Sequence, residues 1–324
     1  MKHNAATGAT PVLLKMTAMK HFISIAEHPV EFLAHTLELA ARFKKQLKQT
    51  GHNDPILAGK TAALIFEKPS LRTRVSFSQA MIQCGGNAIT LTGEEVGLGK
   101  REPAKDVARV LSGMCDLIVA RVFEHQKLSD LRQHAAVPVI NALSDYSHPC
   151  QAMSDMLTLK ERFGKLEGLT LTYIGDGNNV ARSLAVACGK FGVRFICCTP
   201  GGYELPSEDM DRIMAQVPGM EFQLSHNPAD AVREADAVYT DTWTSMGQEE
   251  EKQKRIKDFQ GFQINGKLLA EAPKRCVILH CLPAYRGLEI TDEMMETANS
   301  LVFPQAENRL HYQKALILAL LDKA

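Results

Sequence analysis

The sequence lacks an excess of charge of either sign: in 324 residues, 37 basic side chains stand against 37 acidic ones. A balanced chain has none of the long-range field that gathers proteins on nucleic acid or anionic membranes, so any anion must be bound by local arrangement. It also lacks an apolar run approaching the ~18 to 20 residues that cross a bilayer. The expectation is a soluble protein that binds neither nucleic acid nor membrane. Eight cysteines, at positions 84, 115, 150, 188, 197, 198, 276 and 281, never fall into a paired metal spacing such as C-x-x-C. That scatter predicts reduced thiols in a cytoplasmic protein and no metal site. Residues 1–18 lack acidic groups, arginine and a signal-peptide apolar core, and read as a loose extension, with organellar targeting as the alternative. There is no internal repeat and no low-complexity segment.

What is present is length and alternation. A chain of 324 residues exceeds the usual single core, which predicts two domains. Phe22, Ile25, Phe32, Leu33, Leu37, Leu39 and Ala40 recur at mostly helical spacing and predict an opening helical segment that ends in the basic stretch Arg42 to Lys48. β-rich runs at 62–66, 88–91, 117–120 and 137–140 then alternate with helical stretches such as 75–84 and 104–114. A second series of strands is expected at 169–174, 193–198, 222–224, 237–240, 276–280 and 301–303. The fold class is α/β: two domains, each a mostly parallel sheet flanked by helices. The expected divisions are an extension at 1–18, a first domain at 19–150, a linking helix at 151–163 and a second domain at 164–305. A closing helix at 306–324 would return to the first domain.

Such sheets bind ligands beyond the carboxyl ends of their strands, so chemistry is sought in the strand-to-helix loops. The first, Ser70-Leu71-Arg72-Thr73-Arg74, sets hydroxyls and guanidinium forks at a helix start, where free N–H groups favour an anion. A Ser-capped helix with solvated arginines is the plainer alternative. In His148-Pro149-Cys150-Gln151, an imidazole and an amide three residues apart could bracket a planar group, or could belong to an ordinary proline turn. Gly175-Asp176-Gly177-Asn178-Asn179-Val180 invites a dinucleotide reading. Val180 replaces the third small residue and the next strand ends without an acidic partner for a ribose, which argues against nicotinamide chemistry. Asn179 can still bind a small polar ligand. Asp241-Thr242-Trp243-Thr244-Ser245-Met246-Gly247 offers a carboxylate for an ammonium group. His280-Cys281-Leu282-Pro283 presents a thiol that is either functional or core. Five polar loops at the same edge of two sheets make independent coincidence a poor explanation.

Together these motifs resemble those of the ornithine carbamoyltransferases, within the aspartate/ornithine carbamoyltransferase family, from about Met19 to the C-terminus. The Ser70–Arg74 and His148–Gln151 segments resemble carbamoyltransferases generally. Ser-Met-Gly with His-Cys-Leu-Pro is nearer to the ornithine branch. The resemblance implies direct attack of the ornithine side-chain amine on carbamoyl phosphate, giving citrulline and phosphate with no cofactor and no metal. It implies that Ser70, Arg72, Thr73 and the Leu71 backbone hold the phosphate, with Arg309 close by. Arg121 and His148 would polarise the carbamoyl oxygen and Gln151 would orient its nitrogen. Asn179, Asp241, Ser245 and Met246 would grip ornithine, while Cys281 and Leu282 line the meeting point. A homotrimer is implied as well. Two departures stand out: Leu71 where threonine is common, and Val96-Gly97-Leu98-Gly99 where the family often has a glutamine that helps complete a neighbouring subunit's site. Rival readings are acetylornithine or putrescine as acceptor, and a catalytically weak ligand-binding homologue.

Overall fold

The computed structural model describes residues 20–244 and 249–323. Strands β1 (Thr61–Phe66) and β3 (Leu117–Arg121) read Thr-Ala-Ala-Leu-Ile-Phe and Leu-Ile-Val-Ala-Arg. Apolar runs without polar alternation suit strands covered on both faces, and every residue of β3 is buried. With β2 (Asn87–Thr92) and β4 (Val139–Leu143) they form a parallel sheet in the order β2-β1-β3-β4. The second sheet contains β5 (Thr170–Ile174), β6 (Arg194–Cys198), β7 (Phe222–Ser225), β8 (Ala237–Thr240) and β9 (Val277–His280). It is also parallel, in the order β7-β6-β5-β8-β9.

The longer helices are α1 (Val30–Thr50), α2 (Leu71–Gln83), α3 (Ala104–Ser112), α4 (Gln126–His134), α5 (Pro149–Phe163), α6 (Asn179–Lys190), α7 (Ser207–Gln216), α8 (Lys252–Asp258) and α9 (Val302–Leu320). Inward residues of both sheets share one core with α1, α2, α5, α6 and α9, from Phe32 and Leu64 through Met156 and Leu171 to Leu316. Alternate residues of β1 face opposite ways: Leu64 joins this core, and Ile65 joins a second one beneath α3 and α4. Helix α9 packs against α1, α2 and α5, so the last element of the chain is built into the first domain.

Each sheet has one place where the strand order reverses. In the first, the chain runs from β1 to β2 on one side and then crosses to β3 on the other; in the second, it leaves β5 for β6 and β7 and returns to β8. Crevices open beyond the carboxyl ends of strands at such reversals. The loops after β1 and β3 therefore face one crevice, and those after β5 and β8 face the other.

Several sequence expectations shift in the structure. The helix expected from 75 begins at Leu71, because the Ser70 hydroxyl caps it by accepting from the Thr73 N–H at 3.3 Å. The motif is thus a helix's first turn rather than a free loop. The linking helix starts at Pro149, not 151, since proline suits a first helical position. Gly164 ends it in the left-handed conformation. The strand expected at 137–140 lies at Val139–Leu143, where Pro138 precedes it. The opening helix starts only after Pro29; Phe22 instead bridges to Ile140 at the sheet edge. No strand forms at 301–303. Ser300 makes a single bridge to Ile278 and the chain turns at once into α9, which begins at Val302 rather than 306.

Candidate active site

The two crevices meet in one cavity of about 310 Å³, of a size that suits small molecules. Its wall includes Ser70, Leu71 and Arg72 after β1, Arg121 at the end of β3, His148 at the start of α5 and Arg309 from α9. The facing wall holds Asn179, Asp241, Cys281 and Leu282. A register shift opposite Ala120 and Arg121 leaves Ala142 of β4 as an extra residue, a bulge beside the last residue of β3.

The first wall is cationic. Arg121 and Arg309 are buried and Arg72 is half-buried, and among the described residues none of the three forms an ion pair. Burial lowers the Arg121 guanidinium to about 10, with Arg309 and Arg72 adding repulsion. Burial also lowers Arg309, followed by the charge of Arg72. Their anchor is Thr73, whose Oγ1 accepts from Arg309 Nη2 at 2.6 Å and from Arg121 Nη1 at 3.5 Å. The Nε groups of all three arginines are buried without a partner. His148 is held neutral: burial, then Arg309, Arg121 and Arg72, push it well below the ordinary histidine range, and its Nδ1 has no partner. Unpaired buried cations are costly, and here they converge on the N-terminus of α2, whose leading N–H groups lack helical acceptors. The arrangement fits a compact dianion such as a phosphate.

The second wall is built of hydrogen bonds. Asp241 Oδ1 accepts from the Thr242 N–H at 2.7 Å and from the Cys281 thiol at 2.9 Å, and its Oδ2 accepts from Asn178 Nδ2 at 2.8 Å. Burial first and Asp241 second hold the thiol of Cys281 well above its ordinary value, so it is a donor rather than a thiolate. Asn179 crosses between domains, donating to the Ser144 carbonyl at 2.7 Å. From the same helix, Ser183 Oγ accepts the backbone N–H of His148 at 2.8 Å, so α6 of the second domain holds the main chain that carries the imidazole. Leu282 sits at φ 59, a costly conformation for leucine, with its N–H held by His280 Nδ1 at 2.8 Å.

Asp241, His280 and Cys281 place one potential ligand atom each within 4.8 Å of one another. Both ring nitrogens of His280 are already engaged: Nδ1 by Leu282, and Nε2 with Glu289 Oε1 at 3.2 Å. A metal would have to break that pairing, so the cluster is a hydrogen-bonded support rather than a metal cradle.

Not every expected residue lines the cavity. Thr73 and Gln151 lie behind the wall, Thr73 bonding its arginines and Gln151 donating Nε2 to Asp155 Oδ1 at 2.8 Å. Ser245 and Met246 lie outside the described residues. Sequence reasoning missed Asn178, which caps α6 and also holds Asp241. The paired asparagines before a helix were the available signal. Lys68, Thr242 and Tyr285 also line the cavity.

The carbamoyl-P binding domain of aspartate/ornithine carbamoyltransferases matches residues 20–161, and the Asp/Orn binding domain of the same family matches residues 167–320. Ornithine carbamoyltransferase of Methanopyrus kandleri is 45% identical over 311 residues, covering 95% of this chain and 99% of that one. The anabolic ornithine carbamoyltransferase of Pyrococcus furiosus is 46% identical over 303 residues, covering 93% and 96%. A solved structure of the ornithine carbamoyltransferase from Pyrococcus furiosus superposes with a TM-score of 0.90 at 43% identity, covering 94% of this chain and 98% of that one.

Proposed function

Because this chain belongs to the aspartate/ornithine carbamoyltransferase family, we propose that its cavity transfers the carbamoyl group of carbamoyl phosphate to the side-chain amine of L-ornithine, giving L-citrulline and phosphate. One observation carries the reading: an unpaired arginine cradle and an Asp241–Cys281 hydrogen-bonded wall face each other across the same 310 Å³. Ser70, the Leu71 N–H, Arg72 and Arg309 take the phosphate. Thr73 braces that cradle from behind. Arg121 and neutral His148 take the carbamoyl oxygen, and each well-placed donor to a developing oxyanion contributes roughly 3 to 4 kcal/mol. Gln151 accepts from the carbamoyl nitrogen.

Asn179 and Asp241, with Ser245 and Met246, take the amino-acid head of ornithine. An alkyl ammonium loses its proton only near pH 10.4 in water, and the buried arginines favour its neutral form. The amine nitrogen then bonds to the carbamoyl carbon. As the tetrahedral intermediate collapses, the bond from carbon to the phosphate oxygen breaks and the departing phosphate takes the amine's proton. No step calls for a metal or a cofactor.

The test is citrulline formation from carbamoyl phosphate with ornithine, acetylornithine and putrescine side by side. Ornithine should exceed the others by at least about a hundredfold, since a site built to pair a substrate's polar groups rejects analogues that lack them. Equal rates with acetylornithine would overturn the assignment of the head-group residues.

Assembly as a homotrimer belongs to the same proposal. It is supported by a groove of about 1170 Å³ beside the site, where Leu71, Val75 and Phe123 are exposed. Gly97 lies in this groove at φ 61, where an added Cβ would meet Arg101 Cβ at 2.6 Å. The backbone itself thus requires glycine where the family often carries glutamine. Light scattering should give three times 35.7 kDa. A cytoplasmic location completes the proposal, supported by eight free cysteines that are all buried.

A further inference from the structure

A buried carboxylate behind the cavity joins its two walls. Asp155 lies one turn after Gln151 on α5 and meets Gln305 from α9; all three side chains are buried. The hydrogen bonds through them run in one direction only. The His280 N–H, a backbone donor that cannot reverse, donates to Gln305 Oε1 at 2.8 Å. Gln305 is therefore left to donate through Nε2, which it does to Asp155 Oδ1 at 2.7 Å. The same oxygen accepts from Gln151 Nε2 at 2.8 Å. An ionised carboxylate only accepts, so the NH2 of Gln151 must face Asp155. Its Oε1, buried and without a partner in the protein, is the atom left for a ligand.

We infer that Asp155 is a positioning residue which fixes Gln151 as a hydrogen-bond acceptor, so that the cavity selects an acyl phosphate carrying an NH2 group over one carrying a methyl group. The inference rests on the carbamoyl-transfer reading and deepens it, since carbamoyl and acetyl phosphate share the phosphate and the carbonyl and differ only at that substituent. An unrestrained glutamine amide is nearly symmetrical in shape and could turn either end to the ligand. Polarity here is set at Asp155 Oδ1, and the same oxygen also receives the hydrogen bond that runs from β9 of the second domain through Gln305. Besides the two glutamines, the buried Tyr239 hydroxyl faces Asp155, and a proton placed on Oδ2 leaves Oδ1 accepting and the orientation unchanged.

The test uses acetyl phosphate as a competitor of carbamoyl phosphate in the citrulline assay at pH 8. In Asp155→Leu the acceptor that holds the Gln151 NH2 is lost, which frees the amide to turn its NH2 towards the ligand. The ratio of the acetyl phosphate inhibition constant to the carbamoyl phosphate KM should fall by about tenfold or more, with the ornithine KM changed by less than about threefold. A ratio within about twofold of the parent in the folded variant overturns the inference.

Gln305→Leu decides the case if Asp155→Leu does not fold. Asp155 alone still accepts from Gln151, so the ratio should hold while the ornithine KM rises as the His280–Cys281 edge loses its anchor. Loss of the ratio in Gln305→Leu would take the orienting role away from Asp155. A parent protein that forms no citrulline removes the reading beneath, whereas an active parent with an unaltered variant ratio removes this inference alone.

Discussion

The two walls of the cavity solve recognition by opposite means. On the first, three arginines and a neutral histidine crowd together with no ion pair among the described residues, at the ends of β1, β3, α5 and α9. On the second, Asp241 already accepts from three donors: a thiol, an amide and a backbone N–H. The first wall is destabilised until an anion arrives. The second is satisfied beforehand and must exchange hydrogen bonds to take a ligand. Charge thus provides attraction on one side, and geometry provides discrimination on the other.

The largest effect expected from this contrast is Arg72→Ala. Loss of a guanidinium aimed at the phosphate should lower citrulline formation by about a thousandfold or more in a protein that stays folded. Near-parent turnover would remove the phosphate assignment. Asp241→Asn comes next, with a fall of about a hundredfold expressed mainly in the ornithine terms, because the amide cannot accept from Cys281 and Thr242 and also pair with an ammonium. A change confined to carbamoyl phosphate would place Asp241 on the wrong wall.

Cys281→Ser should cost about tenfold and leave the shape of the pH profile unaltered below pH 9, because the parent thiol stays protonated throughout that range. A shifted profile would mean that a thiolate takes part. Arg121→Met should lose activity and yet melt about 2 °C or more above the parent without ligand, since it removes a charge that burial first, and Arg309 and Arg72 second, lower to about 10. Calorimetry checks this, and an unchanged or lower Tm would show that the arginines do not strain the empty site.

The smallest effect concerns Asp155, between the walls. Burial pushes its carboxyl up to about 7, although the hydrogen bonds of Gln305 and Gln151, the Tyr239 hydroxyl and the charge of Arg309 pull the other way. Its folded-state value lies above the unfolded one near 3.9, so its contribution to stability is present below that pH and is lost as the pH rises through 7. The Tm difference between Asp155→Asn and the parent should therefore grow in favour of the variant from pH 5 to pH 8. A constant difference would mean that the carboxyl does not titrate in that window.

The two walls also differed in how far they could be read from sequence. Ser70 to Arg74 are contiguous, and the chemistry of the segment was visible in it, although the helix boundary was displaced because the strength of a Ser70 cap depends on the geometry it finds. The alternation of apolar runs gave both parallel sheets, since covered strands have to be apolar. The short run at 301–303 misled because three apolar residues suit a strand or a helix's first turn equally, and packing of α9 decided the matter. Arg309 carried no local signal of function; only the resemblance pointed to it. Asp155 and Gln305 were missed altogether. Their pairing spans 150 residues, and a lone aspartate in a helix reads as an ordinary solvent-facing charge until its burial is known.

The bond from Arg309 to Thr73 joins residues 236 positions apart. During synthesis, Ser70, Arg72, Arg121 and His148 can all be in place while the final helix is still unmade, and the cradle then lacks both its third guanidinium and the clasp on Thr73. Closure of so distant a pair comes late and depends on α9 having been released. A polypeptide terminated before α9 would retain nearly every motif of the first wall and still be inert. Catalytic competence in this protein therefore doubles as a certificate that translation has passed through α9.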